Sequence, residues 1–281
     1  MSARAGNGEY SNYFSRFFTI AGRSLAQLVR SPSHSRRAEA ARRSARHVLL
    51  LTAILSAAII ALMYALDARE IALMPPRGTA SLWPIRILTD FGKAAYVLWA
   101  LAGLLLVVAI VSAALRGNSR SLLLGLGTRL QFVFFAVLVP VLVGDVFKWI
   151  VGRGRPFVGG EANVFNFRHF GGTEAFASFP SGHAVTSFAL AFAISALWPQ
   201  ARLVMIVYAI AIALSRLVLL AHHPSDVVAG ALVGLIGAMA VRYWFAARRL
   251  GFAIRHDGAI VPLPGPSLGH LKRVACGPFA P

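Results

Sequence analysis

The sequence predicts an all-α polytopic membrane protein, a bundle of six transmembrane helices with both termini in the cytoplasm. Of its 281 residues, 57% are hydrophobic and only 14% are charged, and the mean hydropathy is +0.67. A soluble domain normally carries about 25% charged residues. A spanning helix needs about 20 mostly apolar residues. Six segments meet this condition, namely 47–66, 94–115, 122–147, 183–199, 201–221 and 226–246.

The distribution of Arg and Lys among the loops predicts the orientation of these spans. Residues 1–46 contain nine Arg against two Glu, and the tail from Arg242 contains five Arg and one Lys against one Asp. The loop 67–93 contains four cations and three acids. Because cytoplasmic loops carry the excess of cations, both termini are expected in the cytoplasm, which agrees with an even number of spans. Loops 67–93, 148–182 and 222–225 then face outward.

Composition also restricts the partners of the chain. A net charge of +18 could suit nucleic acid. The charges flank apolar segments, however, so anionic lipid headgroups account for them better and no nucleic-acid partner is expected. The single cysteine, Cys276, excludes an intrachain disulfide. The sequence leaves the oligomeric state open.

The apolar segments divide the chain into three parts. Residues 47–246 form the predicted membrane domain, and 47–66 is interpreted as a retained span because no signal-peptide pattern is visible. Residues 1–46 form a basic cytoplasmic segment that fits either an interfacial amphipathic helix or a disordered tail. Residues 247–281 are expected to be a basic, flexible cytoplasmic tail.

Three groups of polar residues interrupt the apolar pattern, and the first is KWIVGRGRP. It brings Lys148, Arg153 and Arg155 to the outward end of the third span. Lys148 and Arg155 are seven residues apart, about two helical turns, so they could share one helix face. Gly152 and Gly154 indicate that the helix loosens before it ends. Taken alone, this group fits interfacial anchoring equally well.

The second group is the sequence Pro180-Ser181-Gly182-His183 at the start of the fourth span. Ser181 is a typical helix cap, which leaves the amides of Gly182 and His183 free at the positive end of a helix dipole. Such an end is a ready anion site. Taken alone, His183 fits a buried structural histidine better than a catalytic one.

The third group contains Arg216, His222 and Asp226. Arg216 lies within an apolar span, where a charge is expensive and functional by default. A snorkelling anchor is the alternative for this residue. A carboxylate near a histidine can fix its tautomer and raise its basicity, so Asp226 could serve His222.

All three groups fall at the outward ends of the predicted spans. Together they supply cations, a helix N-terminus, two histidines and a carboxylate. This combination suits a phosphoryl group, since cations bind its oxygens, a histidine can attack phosphorus and an acid can protonate the leaving group.

These residues resemble the signature of the type 2 phosphatidic acid phosphatase superfamily of membrane lipid phosphatases, which reads Lys-x6-Arg-Pro, Pro-Ser-Gly-His and Ser-Arg-x5-His-x3-Asp. Every position of the signature is present, in order and spacing. The matching residues are Lys148, Arg155, Pro156, Pro180, Ser181, Gly182, His183, Ser215, Arg216, His222 and Asp226. The signature spans residues 148–226, and the six-helix layout extends the likeness over about 47–246.

The resemblance implies a role for each residue. His222 would attack phosphorus and form a phosphohistidine, and Asp226 would hold and activate its imidazole. His183 would protonate the leaving group and then activate water. The phosphoryl oxygens would be bound by Lys148, Arg155, Ser181, the Gly182 amide and Arg216. No metal or cofactor is expected, and the spacing of the signature alone selects His222 over His223.

The resemblance also implies a phosphorylated membrane lipid as the substrate. Candidates are undecaprenyl diphosphate, phosphatidic acid, phosphatidylglycerol phosphate and the phosphate of a lipid A-like glycolipid. The basic chain, which shows no signal-peptide pattern and has a short six-helix core, suggests a bacterial inner membrane. The site would then face the periplasm. The alternatives are a lipid phosphotransferase that uses the same site and an ion transporter. The loop 157–179, with its aromatic residues, is expected to rest on the membrane interface. Gly230 and Gly234 are expected to serve helix packing inside the bundle, with dimerisation as the alternative.

Overall fold

The computed structural model describes residues 5–158 and 164–265, which are mainly helical. The helices are α1 (Ala5–Val29), α2 (Arg37–Ala65), α3 (Asp67–Leu73), α4 (Trp83–Asp90), α5 (Ala94–Ala114), α6 (Gly117–Val151), α7 (Gly182–Leu197), α8 (Arg202–Val218) and α9 (Pro224–Ala247). Two short strands follow, β1 (Phe252–Ile254) and β2 (Ile260–Pro262), and they pair antiparallel. The helical fold class predicted from the sequence is confirmed.

Several of these helices have the length and composition of membrane spans. In the described part of the chain, five helical stretches qualify: Arg37–Ala65, Ala80–Ala114, Gly117–Val151, Pro199–Val218 and Pro224–Ala247. The remaining predicted span, the fourth, corresponds to α7, which is apolar but has only 16 residues. At 1.5 Å per residue it is about 24 Å long, less than the hydrocarbon thickness of about 30 Å. The chain therefore has the build of an integral membrane protein, and the count of six spans stays a prediction.

Helix α7 lies at the centre of the bundle, in contact with α6, α8 and α9. Two glycines of α9 allow the closest of these approaches. A Cβ at Gly230 would lie 2.5 Å from the Ser181 carbonyl oxygen, and a Cβ at Gly234 would lie 2.5 Å from the Val185 carbonyl oxygen. The expectation that this glycine pair serves packing inside the bundle is confirmed. The contact also fixes the start of α7 against α9.

The C-terminal segment differs from the flexible tail expected from residue 247 onward. Its described part, up to residue 265, contains the β1–β2 hairpin, and Phe252 is buried against Phe132 with ring centroids 4.7 Å apart. Arg129 of α6 donates hydrogen bonds to the carbonyls of Leu263 and Pro264 at 3.0 and 3.1 Å. The prediction of a flexible tail from residue 247 was wrong for this part. It rested on the Pro- and Gly-rich composition, whereas apolar residues just before that stretch, such as Phe252, pack into the core. Residues 266–281, with Cys276, lie outside the described residues.

The basic N-terminal segment contains helix α1, one of the two alternatives considered for residues 1–46. Helix α1 packs against α5, and its Leu28 carbonyl accepts a hydrogen bond from the Trp244 indole at 3.0 Å. Phe14 and Phe18 are exposed on it. An interfacial position for α1 stays a prediction, supported by these apolar side chains.

Candidate active site

The three polar groups of the sequence meet at one end of the helix bundle. Lys148 lies in the last turn of α6, Arg216 in the last turn of α8 and Asp226 in the first turn of α9. Ser181 directly precedes α7, and its amide donates to the Asp226 carbonyl at 2.9 Å. His222 lies in the short connection between α8 and α9. Residues that are up to 78 positions apart in sequence therefore form one site.

The ring of His222 is held by the backbone of the segment that precedes α7. It is only 3% exposed, and its Nδ1 lies 2.8 Å from the Ser178 carbonyl oxygen. A carbonyl oxygen only accepts hydrogen bonds, so Nδ1 carries the proton. In the neutral ring, Nε2 then keeps its lone pair. This tautomer is the one that a nucleophilic Nε2 requires.

The electrostatic surroundings of His222 favour its neutral form. Burial, together with the cations of Arg216 and Arg155, holds the pKa of His222 well below its ordinary value. The Ser178 carbonyl opposes this shift, but it is a weaker influence. His222 is therefore neutral at pH 7, with its single ring proton on Nδ1.

Asp226 does not hold His222 directly, which corrects the contact expected from the resemblance. Its Oδ2 accepts a hydrogen bond from the Ser178 hydroxyl at 2.5 Å and another from the His223 amide at 2.9 Å. Between the described side chains of Asp226 and His222 there is no hydrogen bond. The carboxylate instead fixes Ser178, whose carbonyl orients the His222 ring. Asp226 thus acts on His222 through one intermediate residue.

The other oxygen of Asp226 contacts Arg153, which the signature leaves out. Arg153 Nη1 donates to Asp226 Oδ1 at 2.7 Å, and its Nη2 donates to Asp67 Oδ2 at 2.8 Å. All three side chains are fully buried. Ser225 completes the group. Its amide donates to Asp67 Oδ1 at 3.0 Å, and its hydroxyl donates to Asp67 Oδ2 and accepts a hydrogen bond from Arg153 Nη1. A buried guanidinium between two carboxylates satisfies the rule that buried charges are paired.

The sequence contained a partial signal for this network. Asp67 is an acid directly after the first apolar segment, and Arg153 is a cation of the KWIVGRGRP group that the signature does not include. Neither spacing nor composition could pair them, since they are 86 residues apart. The role of Ser178 could not be found either, because it acts through its backbone carbonyl.

The N-terminus of α7 presents two unpaired polar atoms. Ser181 is the N-cap residue, as predicted, but its hydroxyl makes no capping hydrogen bond. Ser181 Oγ and His183 Nε2 are both buried, and neither has a hydrogen-bond partner among the described residues. Gly182 begins the helix between them. Hydroxyl, imidazole and free amides therefore converge at a helix end that favours anions.

Lys148 approaches this helix end from α6. A Cβ at Gly182 would lie 2.9 Å from Lys148 Nζ, so the glycine leaves room for the ammonium close to the backbone. The same Nζ is 2.7 Å from Asp145 Oδ1, and the Asp145 side chain is 58% exposed. An exposed pair of this kind is weak. Lys148 is therefore held in place but can still bind an anion.

Two arginines, the buried Arg216 and the largely buried Arg155, form the other side of the site. Arg216 Nη1 donates to the Thr89 hydroxyl at 2.8 Å, and Arg155 Nη2 lies 3.5 Å from Glu174 Oε1. The Nε atoms of both arginines are buried without a hydrogen-bond partner in the described parts of the chain. Gly152 ends α6 in the left-handed conformation, with φ at 57°. The chain then turns so that Arg155 lies beside the site.

His223 lies in a separate environment from its neighbour. Its Nδ1 is 3.9 Å from Glu70 Oε2, and both side chains are buried. Burial and the nearby carboxylates of Asp67 and Asp226 raise the pKa of Glu70 to about 8, and burial lowers the pKa of His223. Both groups are therefore mainly neutral at pH 7. The geometry separates the two histidines, since only His222 is oriented by the Ser178 carbonyl.

The residues of the three motifs lie within a segment of the chain that matches a known protein family. Residues 129–250 match the model of the PAP2 superfamily. This superfamily is the one that the three sequence motifs resemble, so the resemblance is confirmed.

Three curated relatives are of particular interest. A lipid A 1-phosphatase of Rhizobium johnstonii is 36% identical over 45% of this chain and 52% of its own length. A lipid A 1-phosphatase of Rhizobium etli is 34% identical over 46% of this chain and 62% of its own length. A proposed undecaprenyl-diphosphatase of Escherichia coli is 34% identical over 42% of this chain and 59% of its own length. The chain thus spans about half the length of the curated relatives it matches, and no solved structure matches it significantly.

Proposed function

We propose that this protein is a metal-independent lipid phosphatase of the membrane, which hydrolyses a phosphomonoester or diphosphate of a lipid through a phosphohistidine on His222. The names of the relatives support the reaction class, since two are lipid A 1-phosphatases and a third is a proposed undecaprenyl-diphosphatase. The proposal assigns the signature residues the roles that the resemblance implies, with one change. Asp226 orients His222 through Ser178 and not by direct contact.

One observation carries the proposal. Four buried polar atoms of the signature have no hydrogen-bond partner within the described residues, and all belong to side chains that converge on one site. They are Arg155 Nε, Ser181 Oγ, His183 Nε2 and Arg216 Nε. An unpaired buried polar group costs about 1–3 kcal/mol. A phosphoryl group, with several acceptor oxygens, would satisfy the guanidinium and hydroxyl donors together.

The first step is attack on phosphorus by His222. Its Nε2 lone pair forms the N–P bond while the bond between phosphorus and the leaving oxygen breaks. His183 gives a proton to that oxygen. The new imidazolium is stabilised through Nδ1–H, which donates to the Ser178 carbonyl, and by the nearby Asp226 carboxylate. Lys148, Arg155 and Arg216 offset the negative charge that develops on the phosphoryl oxygens.

The second step hydrolyses the phosphohistidine. His183, now neutral, takes a proton from water, whose oxygen attacks phosphorus. The N–P bond breaks, and its electron pair returns to Nε2 of His222. The products are inorganic phosphate and the free enzyme, ready for another turnover.

Membrane topology is part of the same proposal. Six spans, including a short α7, would place both termini on the same side of the membrane. The cation-rich terminal segments would then lie in the cytoplasm. The site would then face outward, toward the periplasm if the membrane is a bacterial inner membrane. The exposed side chains of Phe157, Phe165 and Phe170 support a loop that rests on the interface beside the site.

Phosphate release by the purified protein in detergent, with EDTA present, tests the proposal. The panel comprises undecaprenyl diphosphate, phosphatidic acid, phosphatidylglycerol phosphate and lipid A, each measured beside the His222→Ala variant. We expect release from at least one lipid by the wild type and none by the variant. A folded wild type that releases no phosphate from any lipid would contradict the proposal, and phosphate found on an added acceptor would indicate a phosphotransferase.

A further inference from the structure

A cavity of about 400 Å³ opens beside the two arginines of the site. Its charged lining consists of Arg77, Arg86, Arg155, Arg216 and Glu174. Ligand pockets commonly have volumes of 300–1,000 Å³. Arg155 and Arg216 belong to the phosphate site already described, whereas Arg77 and Arg86 belong to no part of the signature. The cavity is therefore continuous with the site but extends beyond it.

The two additional arginines come from the connection between α3 and α4 and from α4 itself. The Arg77 guanidinium lies 3.8 Å from the centre of the Phe157 ring, and Arg86 Nη2 donates to the Thr79 carbonyl at 3.1 Å. These contacts orient both side chains. They use one N–H of Arg86 and none of Arg77, so most donors of the pair are free for a ligand.

The charge of the cavity favours an anion with more than one phosphate. Four guanidinium groups face a single carboxylate, and the Glu174 side chain is 86% exposed and so largely screened by water. Like charges gathered around one cavity repel one another unless an anion lies between them. Arginine is the residue best suited to this task, because its planar fork matches phosphate oxygens.

We propose that Arg77 and Arg86 form a second anion subsite, which binds the second phosphoryl group of a lipid diphosphate. This inference rests on the proposed phosphatase function. Because Arg155 and Arg216 line both the cavity and the reaction site, the second group must be directly adjacent to the first. The two phosphoryl groups of a diphosphate share one bridging oxygen and meet this condition. Phosphates at opposite ends of a large headgroup do not.

The subsite has a chemical consequence for the reaction. With a lipid diphosphate, Nε2 of His222 bonds to the terminal phosphorus, and the bond from that phosphorus to the bridging oxygen breaks. The electron pair stays on that oxygen, which gains negative charge until His183 protonates it, and the leaving group is the lipid monophosphate. Arg77 and Arg86 stabilise this charge as it forms. The arginine pair therefore selects diphosphate over monophosphate.

Two lipids with the same polyprenyl anchor, one a monophosphate and one a diphosphate, test this selection. We expect Arg77→Gln/Arg86→Gln to lower kcat/KM for the diphosphate by about tenfold or more, the effect of losing charged donors at a phosphoryl group. The value for the monophosphate should stay within about twofold, since the reaction site itself is unchanged. The matched control is Arg69→Gln/Arg168→Gln, which removes two exposed arginines outside the cavity. It should leave both values unchanged.

A binding measurement separates this inference from the proposed function. Methylene diphosphonate, which is not hydrolysed, is titrated calorimetrically into the His222→Ala protein with and without Arg77→Gln/Arg86→Gln. We expect the added substitutions to weaken binding about tenfold or more. Equal affinity in both proteins, or an equal loss of kcat/KM on both lipids, would contradict the proposed subsite but not the proposed phosphatase function. Binding that depends on the two arginines, without phosphate release from any lipid, would support the proposed subsite and contradict the proposed phosphatase function.

Discussion

Arg153 donates a hydrogen bond to Asp226 across 2.7 Å, and neither side chain is exposed to solvent. The same guanidinium bonds Asp67 on α3, so one buried cation joins the end of α6, the start of α9 and the outer helix α3. Asp226 in turn fixes Ser178, and Ser178 orients His222. His222 is therefore positioned by a chain of buried contacts that begins outside the signature.

The first prediction concerns removal of this cation. Arg153→Ala leaves Asp67 and Asp226 buried without their partner, and breaking a buried pair in this way typically costs about 3–5 kcal/mol. Chemical unfolding in detergent micelles should record a loss of this size. Arg69→Ala, a change of the same type at an exposed position, should alter the free energy of unfolding by less than about 0.5 kcal/mol. Similar stabilities for the two variants would contradict the network.

The second prediction separates two ways in which Asp226 could serve His222. Ser178→Ala removes the hydroxyl that donates to Asp226 but keeps the carbonyl that accepts from His222. If Asp226 acts through Ser178, this change should lower kcat by about tenfold, because the carbonyl loses its anchor. Asp226→Asn should lower kcat further, since it also weakens the bond to Arg153. Full activity of Ser178→Ala beside an inactive Asp226→Asn would indicate that the carboxylate acts by another route.

The third prediction follows from the raised pKa of Glu70, which is about 8 against 4.5 in its ordinary state. The unfolded chain ionises this carboxyl above pH 4.5, whereas the folded protein holds it neutral up to about pH 8. Glu70 therefore supports the fold fully below pH 4.5, and its contribution is lost as pH rises toward 8. The slope is at most about 1.4 kcal/mol per pH unit.

Glu70→Gln should remove this dependence. The difference in unfolding free energy between the variant and the wild type should shift in favour of the variant as pH rises from 5 to 8. Unfolding curves of both proteins at several pH values provide the measurement. A constant difference across this range would mean that Glu70 is already ionised in the folded protein.

Much of the site could be predicted from the sequence. The motif spacing predicted that His183, His222 and the cations around them lie together, and the structure brings them together at the ends of the helices. Each motif lies at the end of an apolar segment, and helix ends meet at one side of a bundle. The glycine pair of α9 was also correctly interpreted, since small residues four positions apart indicate close helix packing.

The remaining features depend on tertiary contacts that leave no local pattern. Asp67 and Arg153 are far apart in sequence, and the structure alone brings them together. The carbonyl of Ser178 could not be found, because a backbone group carries no sequence signal. The packed hairpin near Phe252 was missed for a related reason, since its burial depends on Phe132 in α6.

The central claim is that His222 carries the phosphoryl group during turnover. Brief incubation with a lipid labelled with ³²P in the phosphate, followed by a rapid quench in alkali, measures it directly. We expect an acid-labile, base-stable label on the peptide that contains His222. The label should be absent from His222→Ala and present in His223→Ala, whose environment beside Glu70 is separate from the site. Label that persists in His222→Ala, or an active wild type that never acquires label, would contradict the account.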